Sequence, residues 1–317
     1  MSALPTSPIA IYGCGTIGSS WAALFLAKGL SVRLYDISPQ ALDAGHGKAL
    51  AALDGLAQYG LCERDAAAAG RTRIEITSDP RALLDGVGFV QESVLERYEV
   101  KREAHEAIER FAPPDAILAS STSGLLASQM QQGFTHPERF VVAHPFNPPH
   151  LVPLVELVPG PQTSEEALRK SYEFYAALGK VPVILRKEVP GHLANRLAAA
   201  VWREALDLVS RGVASLEDVD KALYAGPGLR WAFMGQHLIY HLNGGPGGYE
   251  AFFKHFEPAF ETWFADLARW EKIPPEAKQA AIAQMKESAG SQDIDTLSQK
   301  RDEKLAQLVR VLYHEKD

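Results

Sequence analysis

A histidine and a glutamate in neighbouring apolar segments are the first residues whose types suggest chemistry. His144 ends the apolar run 140–144, and Glu156 lies inside a second apolar run, 151–158. A carboxylate in an apolar strand is costly to bury alone, and a nearby imidazole would stabilise it. The carboxylate would in turn orient the imidazole as a base that takes the proton of an alcohol. Each residue also has an ordinary explanation, His144 as a hydrogen-bonded loop histidine and Glu156 as a charge at a strand edge.

A glycine-rich turn near the start of the chain indicates a nucleotide site. Gly13, Gly15, Thr16, Ile17 and Gly18 belong to a G-x-G-x-x-G motif that directly follows an apolar strand and precedes a helical segment. In that context the first glycine permits a tight turn, and the second lets backbone amides approach a pyrophosphate. The third lets the helix pack on the strand. A glycine-rich turn without a ligand is the alternative.

The acid that ends the second predicted strand favours one nucleotide. Asp36 falls where a carboxylate accepts hydrogen bonds from the ribose hydroxyls of an adenosine. Because it would repel a 2′-phosphate, the sequence predicts NAD rather than NADP as the cofactor. Arg33 lies three residues earlier on the same strand and weakens this preference only slightly.

Three further polar residues are candidates for substrate contacts. Ser123 closes a run of hydroxyl residues, 120–123, which ordinary turn and helix-cap chemistry also explains. Asn195 lies on an otherwise apolar helix face, where its amide could donate to a substrate oxygen or to a backbone carbonyl. Arg230, in GPGLRW, could hold a carboxylate with two parallel hydrogen bonds or form a structural ion pair.

Composition excludes several other classes of protein. The chain has 32 Lys and Arg against 39 Asp and Glu, a net charge of −7, and no dense basic block, so no nucleic-acid partner is predicted. Only two cysteines are present, which gives no disulfide framework. The sequence shows no signal peptide and no uncharged apolar run of about 18 residues, so we expect a cytoplasmic protein without a membrane segment. His237 and His241 lack the acid of a zinc hydrolase motif, and no metal site is predicted.

The elements that would position these residues can be read from the apolar pattern. Short β-rich runs alternate with amphipathic ones, which predicts an α/β fold with a Rossmann-like, mostly parallel sheet. Strands are predicted at 9–13, 32–36, 74–77, 88–93, 116–121, 140–144, 151–158 and 181–186. After Pro190 and Gly191 only helical periodicity continues, with helices predicted at 192–211 and 291–312. We therefore predict two domains, residues 1–188 and an all-helical domain at 189–317.

Several longer sequence blocks carry a family resemblance over nearly the whole chain. The blocks are GCGTIG, QESVLERYEVKRE, SSTSGL, AHPFNPPHLVPLVELV, KEVPGHLANRL and GPGLRWAFMG. Together they resemble the L-3-hydroxyacyl-CoA dehydrogenase superfamily, in the branch of lambda-crystallin, L-gulonate 3-dehydrogenase and L-carnitine dehydrogenase. The resemblance implies an NAD-binding domain followed by a helical domain that binds substrate and pairs two subunits into a homodimer.

The same resemblance implies roles for particular residues. His144 and Glu156 would form the catalytic pair, and Ser123 and Asn195 would bind the reacting oxygen. The cofactor would be contacted near its nicotinamide ribose by Ser93, Glu96 and Lys101. Arg230 is predicted to bind substrate from its residue type alone, as a cation that could hold a carboxylate.

The resemblance leaves the substrate open. Acyl-CoA members carry lysine-rich helices after the second strand, whereas this chain has Lys48 and then no Lys or Arg until Arg64. Carnitine dehydrogenases tend to have Asp where this chain has Asn195, and gulonate-type members keep Asn. We therefore predict NAD-dependent oxidation of a small free L-3-hydroxy acid, gulonate-like or carnitine-like, to its 3-oxo acid. The alternatives are a short-chain L-3-hydroxyacyl-CoA dehydrogenase of the 3-hydroxybutyryl-CoA type and a non-catalytic, crystallin-like NAD-binding protein.

Overall fold

Within residues 4–314, which the computed structural model describes, eight short strands form one sheet. Residues 1–3 and 315–317, the ends of the two predicted domain ranges, lie outside the described residues. The strands are β1 Ile9–Tyr12, β2 Val32–Tyr35, β3 Ile74–Thr77, β4 Phe89–Glu92, β5 Ile117–Ser120, β6 Phe140–Pro145, β7 Leu154–Pro159 and β8 Val181–Ile184. Each predicted strand is present with its ends shifted by a few residues at most.

The strand order is β3-β2-β1-β4-β5-β6-β7-β8. Neighbours pair in parallel except β6 and β7, which are antiparallel. The chain therefore reverses its direction of travel across the sheet between β1 and β4. In such sheets the crevice outside the carboxyl ends of the strands at this reversal is the usual ligand site.

The helices alternate with the strands up to β8 and then follow one another. They are α1 Thr16–Ala27, α2 Pro39–Gln58, α3 Arg64–Gly70, α4 Pro80–Leu84, α5 Tyr98–Phe111, α6 Ala127–Met130, α7 Glu165–Ala177, α8 Ala194–Ser210, α9 Leu216–Ala225, α10 Pro227–Trp231, α11 Gln236–Asn243, α12 Gly248–Asp266, α13 Pro275–Ala289 and α14 Ile294–Val309. Shorter turns lie at Pro137–Arg139, Gly245–Gly247 and Arg310–His314. The predicted fold class, a Rossmann-like mostly parallel sheet followed by helices, is confirmed.

The inner strands of the sheet are buried on both faces, which explains why they are nearly continuous apolar runs, whereas the edge strands β3 and β8 are partly exposed. On one face Trp21 and Phe25 of α1 pack with Tyr175 of α7 in a large core cluster. On the other face Leu83 and Ile108, from α4 and α5, belong to a second cluster. The strands of the first unit are thus fixed from both sides, and the loops at their carboxyl ends carry the polar residues.

The chain divides into two compact units. The first runs from the start of the described chain to Arg196 and includes the segment from Gln299 onward; the second is Leu197–Ser298. The first unit contains the sheet and the first residues of α8. The second is entirely helical and contains α9 to α13.

Candidate active site

The antiparallel pairing of β6 and β7 brings the predicted histidine and glutamate together. His144 lies directly opposite Glu156 in the strand register. His144 Nδ1 is 2.8 Å from Glu156 Oε2, and both side chains are buried. The register of these two neighbouring strands therefore explains why the two side chains are in contact.

The second oxygen of Glu156 is held by the start of a helix. Its Oε1 accepts hydrogen bonds from the backbone N–H groups of Leu193 (2.8 Å) and Ala194 (3.0 Å), where α8 begins. Free N–H groups at a helix start favour a negative charge. Burial alone would raise the pKa of Glu156, but the hydrogen bonds from His144 and from these amides outweigh it and lower the pKa. Because an ionised carboxylate only accepts, Nδ1 of His144 carries a proton, and in the neutral imidazole the lone pair is then on Nε2.

A cavity of about 510 Å³ lies beside this pair. Its walls are Ile17, Ser93, Val94, Glu96, Ser121, Ser123, His144, Pro145, Phe146, Asn147 and Asn195. The predicted Ser123 and Asn195 thus share the cavity with His144. Asn195 Nδ2 also donates to the backbone oxygen of Ser123 at 2.9 Å, which fixes the amide against the turn that carries the serine.

Glu96 holds the Ser123 turn from the other side. Its Oε1 accepts from the Thr122 hydroxyl (2.6 Å), from the Ser123 N–H (2.7 Å) and hydroxyl (3.1 Å), and from the Gly124 N–H (3.1 Å). The resemblance places Glu96 along the cofactor, and sequence reasoning missed this contact with the turn. No spacing signal could have revealed it, since the partners lie on loops after different strands.

A buried ion cluster lies in the same unit. Glu92 of β4 is fully buried and accepts from Lys101 Nζ (2.8 Å), His105 Nε2 (3.2 Å) and the Ser120 hydroxyl (2.5 Å). Burial would raise the pKa of Glu92, but Lys101 and His105 outweigh it and lower the pKa to about 2. The Lys101 ammonium is thus paired with Glu92, and Glu96 Oε2 lies 3.5 Å from the same Nζ. Its predicted contact with the cofactor stays a prediction.

The glycine turn has the shape that a pyrophosphate requires. Gly13 has φ +97°, and a Cβ there would lie 2.9 Å from the carbonyl of Ser93. A Cβ at Gly18 would lie 1.9 Å from Gly13 O, so α1 can start this close to β1 only with glycine. A Cβ at Gly15 would meet nothing within 4 Å, which leaves open space beside the first N–H groups of α1. The turn therefore fits a dinucleotide.

A second cavity, of about 460 Å³, begins at this turn and has the features of an adenosine site. Asp36 lines it; its Oδ2 accepts from the Cys14 N–H (3.1 Å) and lies 3.4 Å from the Cys14 thiol, while its Oδ1 accepts only from the Ser38 N–H (3.3 Å). Oδ1 therefore retains a lone pair for a ribose hydroxyl. Ile37 and Leu95 also line it and are 85% and 70% exposed, an apolar edge suited to a base. Ser93 and Val94 line both cavities, so the two adjoin.

The remaining candidates lie in the second unit. Arg230 belongs to α10, and its role as a substrate residue stays a prediction. His237 Nδ1 lies 2.8 Å from the Tyr249 hydroxyl, and His241 Nδ1 accepts from the Tyr249 N–H at 3.1 Å. In residues 4–314 no cluster of three or more His, Cys, Asp or Glu side chains could hold a metal ion. Over the same range no helix is both long enough and apolar enough to cross a bilayer.

Comparison with known proteins gives matches over most of the chain. Residues 8–189 match the 3-hydroxyacyl-CoA dehydrogenase NAD binding domain, and residues 191–284 match the 3-hydroxyacyl-CoA dehydrogenase C-terminal domain. The L-carnitine dehydrogenase of Pseudomonas putida is 42% identical over 301 residues, which cover 93% of this chain and 91% of that protein.

Two solved structures are similar in fold. An NAD+-dependent dismutase, 5-formyl-3-hydroxy-2-methylpyridine-4-carboxylic acid 5-dehydrogenase, matches with a TM-score of 0.84 and 28% identity, over 98% of this chain and 100% of that one. The (S)-3-hydroxybutyryl-CoA dehydrogenase of Ralstonia eutropha matches with a TM-score of 0.66 and 26% identity, over 92% of this chain and 97% of that one.

Proposed function

The chain belongs to the 3-hydroxyacyl-CoA dehydrogenase family and is an NAD-dependent oxidoreductase, and we propose that it oxidises the 3-hydroxyl of a small free L-3-hydroxy acid to a 3-oxo acid. The observation that carries this proposal is the buried contact of His144 with Glu156 at a cavity shared with Ser123 and Asn195. An alcohol oxidation needs a base at this point, because the hydroxyl proton must leave as the hydride is transferred.

His144 is the proposed base. Its Nε2 lone pair takes the hydroxyl proton, and the Glu156 carboxylate stabilises the imidazolium that forms. Bound NAD+ supplies the hydride acceptor. Ser123 and Asn195 position the reacting oxygen, since the amide of Asn195 has a second N–H besides the one given to Ser123 O.

The lining of the cavity favours a substrate without phosphate groups. Among its wall residues in the described chain there is no Lys or Arg, and Phe146 supplies an aromatic ring. The face of such a ring attracts a quaternary ammonium group. Together with the L-carnitine dehydrogenase relatives, this places L-carnitine first among the free acids to test.

The test is NADH formation from L-carnitine, L-gulonate, L-3-hydroxybutyrate and L-3-hydroxybutyryl-CoA, each beside its D enantiomer as the control. We expect kcat/KM to be highest for a free L acid. The highest value for the CoA ester would instead support the short-chain acyl-CoA dehydrogenase. Tight NAD+ binding with no NADH from any substrate would support the structural, crystallin-like alternative.

Asp36→Ala tests the proposed ribose contact. We expect the KM for NAD+ to rise roughly tenfold or more, because hydrogen bonds to a charged acceptor are lost, and the preference for NAD+ over NADP+ to fall. Steady-state kinetics with both cofactors measure the change, and Asp43→Ala on the outer surface of α2 serves as the control. Equal use of NADP+ by the unsubstituted enzyme would contradict the assignment.

Exposed aromatic side chains on the helical unit bear on the oligomeric state. Trp202, Phe233, Trp263 and Phe264 of the second unit are each more than half exposed, which supports a homodimer formed through the helical unit. Light scattering would detect the dimer as twice the chain mass of 34.6 kDa.

We further propose a cytoplasmic enzyme that binds no nucleic acid, in keeping with its acidic charge balance.

A further inference from the structure

A histidine that sequence reasoning did not single out lies next to the groups that hold Glu156. His192 immediately precedes the two N–H donors to that carboxylate and is 1% exposed. It has φ +52°, the only positive φ of a non-glycine residue in the described chain. Because a Cβ is crowded in this region, such a conformation persists only where surrounding contacts hold it.

His192 contacts two other parts of the site, the Ser123 turn and His144. Its Nε2 lies 3.3 Å from the backbone oxygen of Thr122, the residue before Ser123. Since a carbonyl oxygen only accepts, Nε2 carries the proton. The ring centroid lies 5.2 Å from that of His144, at an interplanar angle of 51°. His192 thus contacts the Ser123 turn and the proposed base, and leads into the helix start that holds Glu156.

The charge state of His192 follows from its surroundings. Burial lowers its pKa, and the nearby His144 lowers it further, while the Thr122 carbonyl, Glu156 and Glu96 act in the opposite direction. The net pKa is below the ordinary histidine value. His192 therefore stays neutral while His144 carries the proton of the reaction. Its Nδ1 has no hydrogen-bond partner among the described residues.

We propose that His192 is a positioning residue. The hydrogen bond from its Nε2–H to the backbone oxygen of Thr122 holds the Ser123 turn in place beside His144. The inference rests on the proposed function, because the alignment it maintains matters only if His144 is the base. His192 is not among the walls of the cavity, so it acts through its neighbours rather than on the substrate. A residue whose only role was to fill space would need neither an N–H donor nor a backbone with positive φ.

Two substitutions distinguish the role of the Nε2–H donor from the role of the ring as packing. His192→Phe keeps a ring and removes the donor, whereas His192→Gln loses the ring and offers a side-chain N–H near the Nε2 position. We expect His192→Phe to lower kcat roughly ten- to a hundredfold, since misplaced groups lose that much, with the KM and Kd for NAD+ unchanged. His192→Gln should recover most of kcat even if its melting temperature is the lower of the two. His136→Phe, at a partly exposed surface site, is the control.

Spectroscopy gives a readout that is independent of turnover. With 15N-labelled histidine, the spectrum of the ten histidines should show His192 as the neutral Nε2–H tautomer throughout the neutral pH range, and His192→Phe should shift the His144 signals. The inference is overturned if His192→Phe retains full kcat, if both variants lose kcat in parallel with their melting temperatures, or if the His144 signals do not move. Absence of turnover by the unsubstituted enzyme on the whole substrate panel would instead defeat the proposed function.

Discussion

Replacing His144 with alanine is expected to lower kcat by roughly 10² to 10⁴, the usual contribution of a general base. The imidazole lines the cavity and is hydrogen-bonded to Glu156 at 2.8 Å, the arrangement that a general base requires. NAD+ binding should persist, since the glycine turn and Asp36 lie on other loops of the sheet. Steady-state NADH formation with the preferred substrate measures kcat, and quenching of protein fluorescence by NAD+ measures the binding of the cofactor.

The matched control for this substitution is His136→Ala, which removes an imidazole that is paired with Glu138 at the surface. It should leave kcat unchanged. A His144→Ala enzyme with full kcat would remove this histidine from the mechanism. Loss of NAD+ binding together with activity would show that the histidine supports the fold instead.

The largest expected effect on stability comes from Glu92→Gln. The substitution keeps the shape of the side chain but removes the negative charge that Lys101 faces at 2.8 Å in a fully buried setting. Breaking a buried pair typically costs about 3–5 kcal/mol, because a buried charge loses its nearest partner. Lys101 would keep only Glu96 Oε2, which lies farther away, at 3.5 Å. The free energy of unfolding, measured with urea, should fall by that order. Glu75→Gln is the control: Glu75 pairs with Arg33 but is 74% exposed, so its loss should cost less than about 1 kcal/mol.

The same carboxylate makes stability depend on pH. The pKa of Glu92 is lower in the folded state, at about 2, than its ordinary value of 4.5. Its contribution is therefore fully present above pH 4.5 and is lost as the pH falls towards 2. Unfolding measured along this range should become easier in the unsubstituted protein, and the dependence should be shallower in Glu92→Gln. Equal slopes for the two proteins would contradict the assignment.

Much of the frame of the site could be predicted because it depends on local patterns. The strand before Gly13 and the helix after it are visible as an apolar run and a helical segment, so the nucleotide turn follows directly. His144 and Glu156 lie on consecutive strands joined by a short proline-rich loop, and adjacent strands of this kind usually pair. Their contact could therefore be anticipated from sequence neighbourhood.

Other parts of the site depend on contacts that no local pattern records. Glu96 reaches the Ser123 turn only after the sheet has brought β4 and β5 side by side. Lys101 of α5 turns back into the core towards Glu92 at the end of β4. His192 was overlooked because a positive φ at a histidine leaves no trace in the sequence, unlike the glycines at which it is expected. Such features follow from tertiary packing rather than from the periodicity of the chain.

The two oxygens of Glu156 face two sets of donors, the imidazole of His144 on one side and the first amides of α8 on the other. A glutamine could accept from the α8 amides with its single oxygen, but it would then turn an N–H towards Nδ1 of His144. The imidazole can accept that bond only in the tautomer that carries its proton on Nε2. A carboxylate at this position therefore keeps the Nε2 lone pair available, which an amide of the same volume does not.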